Sequence, residues 1–149
     1  MSNGNVIKER SAGLEAPVFE DAAFTTPPPL AEATVAILTS ASMHHPDQPG
    51  FEVVDTGYRV LDGDRTDLIL GHWSQDVDQI GFGLDYNVVY PIDRLHEMAE
   101  AGRIGKVSDV HLAYAGNQFD ITGVRMDSGP EGARLLKEAG VDIVLLTPV

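Results

Sequence analysis

Two stretches constrain this chain more than any other feature. Ala33-Thr34-Val35-Ala36-Ile37-Leu38-Thr39 and Val141-Asp142-Ile143-Val144-Leu145-Leu146-Thr147 are short, nearly unbroken apolar runs in which β-branched residues recur. A strand with one wet face alternates apolar and polar residues. A strand apolar at consecutive positions needs cover on both faces, which is the habit of strands in a parallel sheet. Parallel neighbours cannot be joined by a tight hairpin, so the chain between them must contain crossover segments. Two are visible. Pro91 stands at a helix start, Ile92, Leu95, Met98 and Ala99 follow at helical spacing, and Gly102 ends the pattern. The segment from Gly129 to Gly140 repeats the device, with Pro130 near its start and a glycine at its end.

Other runs fill in the sheet. Asp67-Leu68-Ile69-Leu70-Gly71 reads as a further buried strand, Lys106 to Tyr114 as a mostly alternating one, and Tyr58-Arg59-Val60-Leu61 as a short one. The expected fold class is α/β, a mainly parallel sheet with helices on its faces, Rossmann-like. Ile37, Leu38, Leu68, Ile69, Leu70, Val144 and Leu145 are its expected buried centre. Residues 1–29 read differently, as an N-terminal arm of small and polar residues. It ends in Thr25-Thr26-Pro27-Pro28-Pro29, which favours polyproline geometry, and Pro17-Val18-Phe19 and Phe24 suit it for partial docking. Residues 30–149 are then one α/β domain.

Charge and composition exclude several function classes. Ten Lys and Arg against 23 Asp and Glu give a net charge of -13, with no basic cluster, so no nucleic-acid or anionic membrane partner is expected. No apolar run approaches the ~20 residues needed to span a bilayer, and no basic flank precedes an apolar core at the N-terminus. The expected location is cytoplasmic. The chain contains no cysteine, which removes disulfides, thiolate metal sites and a cysteine nucleophile from within it.

In open α/β sheets, ligands collect beyond the carboxyl ends of the strands. Three segments are expected there: Thr39 to His45, Gly71 to Asn87, and whatever follows Thr147-Pro148-Val149. The middle one carries His72, Asp76, Asp85 and Asn87. His72 can donate a proton or bind a substrate carboxylate, while Asp76 or Asp85 can orient it or engage a cationic nitrogen. His72 and Asp76 can equally cap or pin the loop through backbone hydrogen bonds. The expected substrate-binding set is His72, Asp76, Asp85 and Asn87 with Thr39 and Thr147. No metal is expected, because loop spacing alone does not bring three or four ligands together. His44-His45 before Pro46 reads as a loop-surface pair. Gly81-Phe82-Gly83 lacks the third glycine of a dinucleotide loop, and neither a phosphate-binding G-x-x-x-x-G-K-S/T nor a G-x-S-x-G elbow is present.

Taken in order, Thr34 to Thr39, Asp67 to His72, Asp85 to Leu95, Gly102-Arg103-Ile104-Gly105 and Gly140 to Val149 resemble the glycine/betaine/sarcosine/D-proline reductase family, selenoprotein B type, from about Leu30 onward. The resemblance implies reductive cleavage of a carbon–nitrogen bond in a small amino acid or amine, with a thiol electron donor and further reductase subunits as partners. It also implies a selenocysteine or cysteine just after Val149, followed by a helix that lowers its pKa. With no catalytic residue or cofactor of its own, the chain is expected to be a truncated part or separate subunit, inactive in isolation and incomplete at its C-terminal side. A UGA read as stop, a split gene, processing or degeneration would each produce such an end. Two other readings stand beside it: a non-catalytic α/β binding or assembly protein that uses an open sheet edge, and a metal-assisted lyase or hydrolase centred on His72, Asp76 and Asp85.

Overall fold

A computed structural model of the chain describes residues 25–74, 77–116, 118 and 120–149, with Gly13 and Val18. The arm read over residues 1–29 therefore lies mostly outside the described residues. Strand β1 (Thr34–Thr39) is the centre of the main sheet. Along one edge runs β7 (Ile143–Thr147), parallel and in register from Val35↔Ile143 to Thr39↔Thr147. That strand occupies its edge of β1 fully. The pieces β5 (Lys106–Val107) and β6 (Val110–Tyr114), both parallel to β1, therefore share the other edge. Strand β3 (Tyr58–Asp62) pairs antiparallel with β6, while β2 (Met43–His44) and β4 (Ile69–Leu70) make a separate two-stranded antiparallel sheet.

Helix α1 (Gln79–Leu84) lies where the sequence reading had only loop, and takes up Gly81-Phe82-Gly83; the Asp78 side chain accepts the Gly81 N–H at its start. Helix α2 (Ile92–Glu100) begins after Pro91 and is followed by Gly102 at φ 66. Helix α3 (Gly129–Glu138) has Pro130 in its first turn and is followed by Gly140 at φ 74. A π-helical turn, Val124–Ser128, leads into α3, with the Gly129 N–H bonded to the Val124 carbonyl. Proline cannot supply an N–H or tolerate the normal carbonyl position four residues back, and a widened turn before Pro130 relieves that conflict.

At β1 the sheet is covered on both faces. Val35 and Ile37 pack with Tyr90, Ile92, Leu95 and Ile104 on the α2 face. Ala36 and Leu112 pack with Tyr114 and Leu136 on the α3 face. The break between β5 and β6 has a specific cause. Between the pairs Val35↔Val107 and Leu38↔Leu112, β1 passes Ala36 and Ile37 while its partner passes the longer Ser108 to His111, a bulge that leaves the Ile37 N–H without a ladder carbonyl. The buried His111 supplies the missing acceptor, its Nδ1 lying 2.8 Å from the Ile37 nitrogen.

Three expectations need correction. Asp67–Gly71 is not a central strand: both edges of β1 and the outer edge of β6 are already taken, so the run pairs only with Met43–His44, and Ile69 is 42% exposed. Leu68 and Leu70 are only partly buried. In β7, Val144 and Leu145 are 36% and 38% exposed because, among the described residues, that strand pairs with β1 alone. Leu38 is likewise only partly buried, whereas Ile37 is fully so. Finally, His44 and His45 are buried rather than superficial. His45 Nε2 accepts the Asp62 N–H at 3.0 Å while Nδ1 faces the Asp67 carboxylate, so the ring ties β3 to the following loop. No helix among the described residues is long and apolar enough to cross a membrane.

Candidate functional site at the strand ends

Strands β1, β6 and β7 are parallel, so Thr39, Tyr114 and Thr147 emerge together at one end of the sheet. After β1 the chain turns through Ser40, Ala41 and Ser42; Ala41 bridges Ala115 antiparallel, and Ser42 adopts φ 54. The Ser42 carbonyl accepts the Gly71 N–H at 3.1 Å, and a Cβ at Gly71 would stand 2.9 Å from that oxygen. Glycine is what lets the segment after β4 lie this close, and it delivers His72 to the strand ends.

His72 is 3% exposed. Its Nδ1 accepts the Ser74 N–H at 3.1 Å, which in the neutral ring puts the proton on Nε2. Burial holds its pKa below the usual imidazole value, so the ring is neutral at pH 7. The Nε2 atom is buried with no hydrogen-bond partner among the described residues. A Cβ at Gly116 would lie 3.0 Å from His72 Nε2, 2.8 Å from the Ser40 carbonyl oxygen and 3.1 Å from that of Val149. One N–H donor and two carbonyl acceptors thus surround the bare α-carbon of Gly116 where β1, β6 and β7 end.

Beside this cluster Trp73 stacks along His72, ring centroids 6.1 Å apart and planes 16° apart. Trp73 also walls a cleft of about 440 Å³ with Val54, Thr56, Gln118, Asp120 and Gly123. The Thr122 hydroxyl, and then its amide, hold the Asp120 carboxyl below the usual carboxylate range, so it is anionic at neutral pH. The cleft therefore offers an aromatic wall and a negative charge, a combination suited to a small cationic group.

The sequence-predicted residues divide. Thr39 and Thr147 stand opposite one another at the β1–β7 end, but their hydroxyls serve the backbone: Thr39 Oγ1 accepts from the Ala41 N–H at 3.2 Å, and Thr147 Oγ1 donates to the Val89 carbonyl at 2.8 Å. His72 joins them through the Ser40–Gly116–Val149 contact. Asp85 and Asn87 form a pinning network instead. Asp85 Oδ1 accepts the Asn87 N–H at 3.0 Å, Asn87 Nδ2 donates to Asp93 at 2.8 Å, and Asn87 Oδ1 accepts the Asp93 N–H at 3.1 Å. They fasten the turn Tyr86–Val88 to the start of α2, and Val89 just beyond meets Thr147. Asp76 lies outside the described residues. No group of three or more His, Asp or Glu among the described residues is disposed to hold a metal ion.

Sequence reasoning reached Ser40 only as part of the segment Thr39 to His45 and missed Gly116 and Asp120. Asp120-Ile121-Thr122 carries the signal of an Asx turn. The glycine two residues beyond an apolar strand is a sign of close backbone approach, but what approaches it comes from three distant segments and has no local mark.

Comparison with known proteins supplies the relatives. The chain is similar to the D-proline reductase subunit gamma of Acetoanaerobium sticklandii, 32% identical over 158 aligned residues that take in 99% of this chain and 62% of that protein. It is also similar to the glycine reductase complex component B subunit gamma of Carboxydothermus hydrogenoformans, 30% identical over 128 residues, 79% of this chain and 28% of that protein. The chain thus spans less than two thirds of the length of either relative. No family model and no solved structure matches it. Its homologues are gamma subunits of glycine and D-proline reductases.

Proposed function

We propose that this homologue of the reductase gamma subunits is part of a selenoprotein B-type complex that reductively cleaves a carbon–nitrogen bond in a small amino acid or amine. The observation that carries the reading is the alignment of 99% of the chain with the D-proline reductase subunit. In such a cleavage a dithiol gives up two electrons and two protons and becomes a disulfide. The carbon–nitrogen bond breaks, with one hydrogen going to carbon and one to nitrogen. With no cysteine in its 149 residues, this chain supplies none of that sulfur or selenium chemistry. The nucleophile is a selenocysteine or cysteine contributed beyond Val149 or by a partner, and the electrons come from a thiol donor.

The chain's own residues bind and orient. Asp120 and the Trp73 ring face the substrate nitrogen, which is cationic in an amine or amino acid. His72 presents a neutral Nε2–H to the strand ends, where it can donate a hydrogen bond to an anionic sulfur, selenium or carboxylate once the Gly116 contact opens. Thr39 and Thr147 hold the two strand ends together, and Asp85 and Asn87 hold the start of α2 against them.

The test follows, under dithiol, ring opening of D-proline to a linear primary amine and ammonia release from glycine. The 149-residue chain alone is expected to show no turnover. A chain extended beyond Val149 with selenocysteine or cysteine, combined with the partner subunits, is expected to show dithiol-dependent cleavage. Turnover by the short chain alone would refute the reading, and silence from both would favour a non-catalytic binding or assembly role. That second reading has one structural observation in its favour, the edge of β7 that has no strand partner among the described residues.

A further inference from the structure

The cleft walled by Trp73 and Asp120 has a pattern of charge and surface that narrows what it can hold. Val53 and Val54 are neighbours in a turn, 54% and 79% exposed, and with Trp73 they are the apolar part of the lining. Trp73 Nε1 is buried, so the ring can offer a ligand its carbon surface but not its N–H. Gln118 spends its amide N–H groups within the wall, donating from Nε2 to the Val53 and Asp55 carbonyls, each at 3.3 Å. Among the described lining residues the one charged group is Asp120. The segments that build the cleft, residues 51–58, 73–93 and 112–124, contain no Lys, Arg or His. Arg59, His72 and Arg125 flank them, and none of the three lines the cleft.

We infer that this cleft binds an N-methylated ammonium group that carries no carboxylate beside it, a trimethylammonium alcohol such as choline in preference to an amino acid. The inference rests on the proposed function, in which Asp120 and Trp73 meet the substrate nitrogen, and it narrows a small amino acid or amine to the second. Methylation is the first determinant. A primary ammonium brings three N–H groups, which against valine methyls and ring carbon lose water without gaining an acceptor. In a trimethylammonium group the charge is carried on methyls that need no acceptor. They can cover Val53 and Val54 and rest on the Trp73 ring while the Asp120 carboxylate supplies the counter-charge. The missing cation is the second determinant. An α-amino acid or a betaine holds its carboxylate one carbon from the nitrogen, so it arrives beside Asp120 with no basic side chain in the lining to meet it. An alcohol in that place brings no charge.

Trp73 is the one tryptophan of the chain, so its fluorescence reports on this cleft. The 149-residue chain is titrated with choline, ethanolamine, glycine betaine and glycine, a set that varies the methyl groups and the carboxylate separately. Choline is expected to give a saturable change, with ethanolamine and glycine betaine each about tenfold weaker or more, and glycine weakest. Asp120→Asn is expected to weaken choline binding about tenfold. Its amide oxygen can still accept the Thr122 N–H, so the turn and the denaturation midpoint are retained. The inference is overturned by the absence of a saturable change with choline, or by glycine betaine or ethanolamine binding as tightly. Undiminished choline binding by the folded Asp120→Asn chain overturns it too. Turnover of D-proline or glycine tests the reaction instead. If the ligands bind in the expected order but the assembled complex cleaves nothing under dithiol, the cleft assignment stands and the proposed function falls.

Discussion

Ile37 and Leu145 sit opposite one another in the β1–β7 ladder, on the same face of the sheet, and come from runs that look alike in the sequence. Ile37 is fully buried; Leu145 is 38% exposed. The difference is not in the residues but in what flanks each strand. Strand β1 has a partner on both edges and a helix on each face, while among the described residues β7 has a partner on one edge alone. A continuous apolar run reports that a strand can be covered on both sides. Whether the cover is present depends on the rest of the fold.

The sharpest test of that comparison is a pair of truncations. Ile37→Ala is expected to cost about 2–5 kcal/mol, and Leu145→Ala about 1 kcal/mol, because the second site already meets solvent. Equal losses in denaturant unfolding would mean that β7 is as enclosed as β1.

The bulge beside Ile37 offers a second test, of how β1 is satisfied on its inner edge. Burial pushes the His111 imidazole down to about 4. The unfolded chain, with an ordinary value of about 6.5, binds a proton between these limits that the folded chain refuses. The stability tied to His111 is therefore fully present above pH ~6.5 and is lost as pH falls toward ~4, about 3 kcal/mol in total. His72, lowered in the same direction by burial, adds to the slope. Comparing unfolding at pH 7 and pH 4.5 in wild type and His111→Leu isolates the His111 share. The variant is expected to lose about 1–3 kcal/mol at pH 7, from the unpaired Ile37 N–H, and to show a shallower acid slope. Identical slopes would contradict the buried neutral imidazole.

Smaller effects belong to the runs that miss the central sheet. Ile69→Ala is expected to cost about 1 kcal/mol, well below a core isoleucine, since the residue is 42% exposed in a two-residue strand. A loss as large as that of Ile37→Ala would restore Asp67–Gly71 as a buried element. Smallest of all, Leu146→Lys is expected to shift the stability of the isolated chain by no more than about 0.5 kcal/mol. A larger loss would show that the open face of β7 is already covered within the chain.

Local chemistry determined a good deal. Proline before or within the first turn and glycine just beyond the last mark α2 and α3, because the missing N–H and the positive φ act within a single turn. The apolar runs of β1 and β7 announced an α/β fold with parallel pairing, since only that arrangement buries consecutive apolar residues on both faces. His72 was singled out by its place after the apolar run Asp67–Gly71, although that run folds as a partly exposed two-residue strand. Tertiary structure decided the rest. The apolar run at Asp67–Gly71 pairs with Met43–His44 and does not join the main sheet. His111, a polar residue within a strand, was drawn into the core to bond the Ile37 N–H that the bulge it closes had left unpaired. The approach of Ser40, His72 and Val149 to Gly116 joins residues far apart along the chain. Periodicity and turn signals act over a few residues, whereas these outcomes depend on which distant segments reach the same edge, face or strand end.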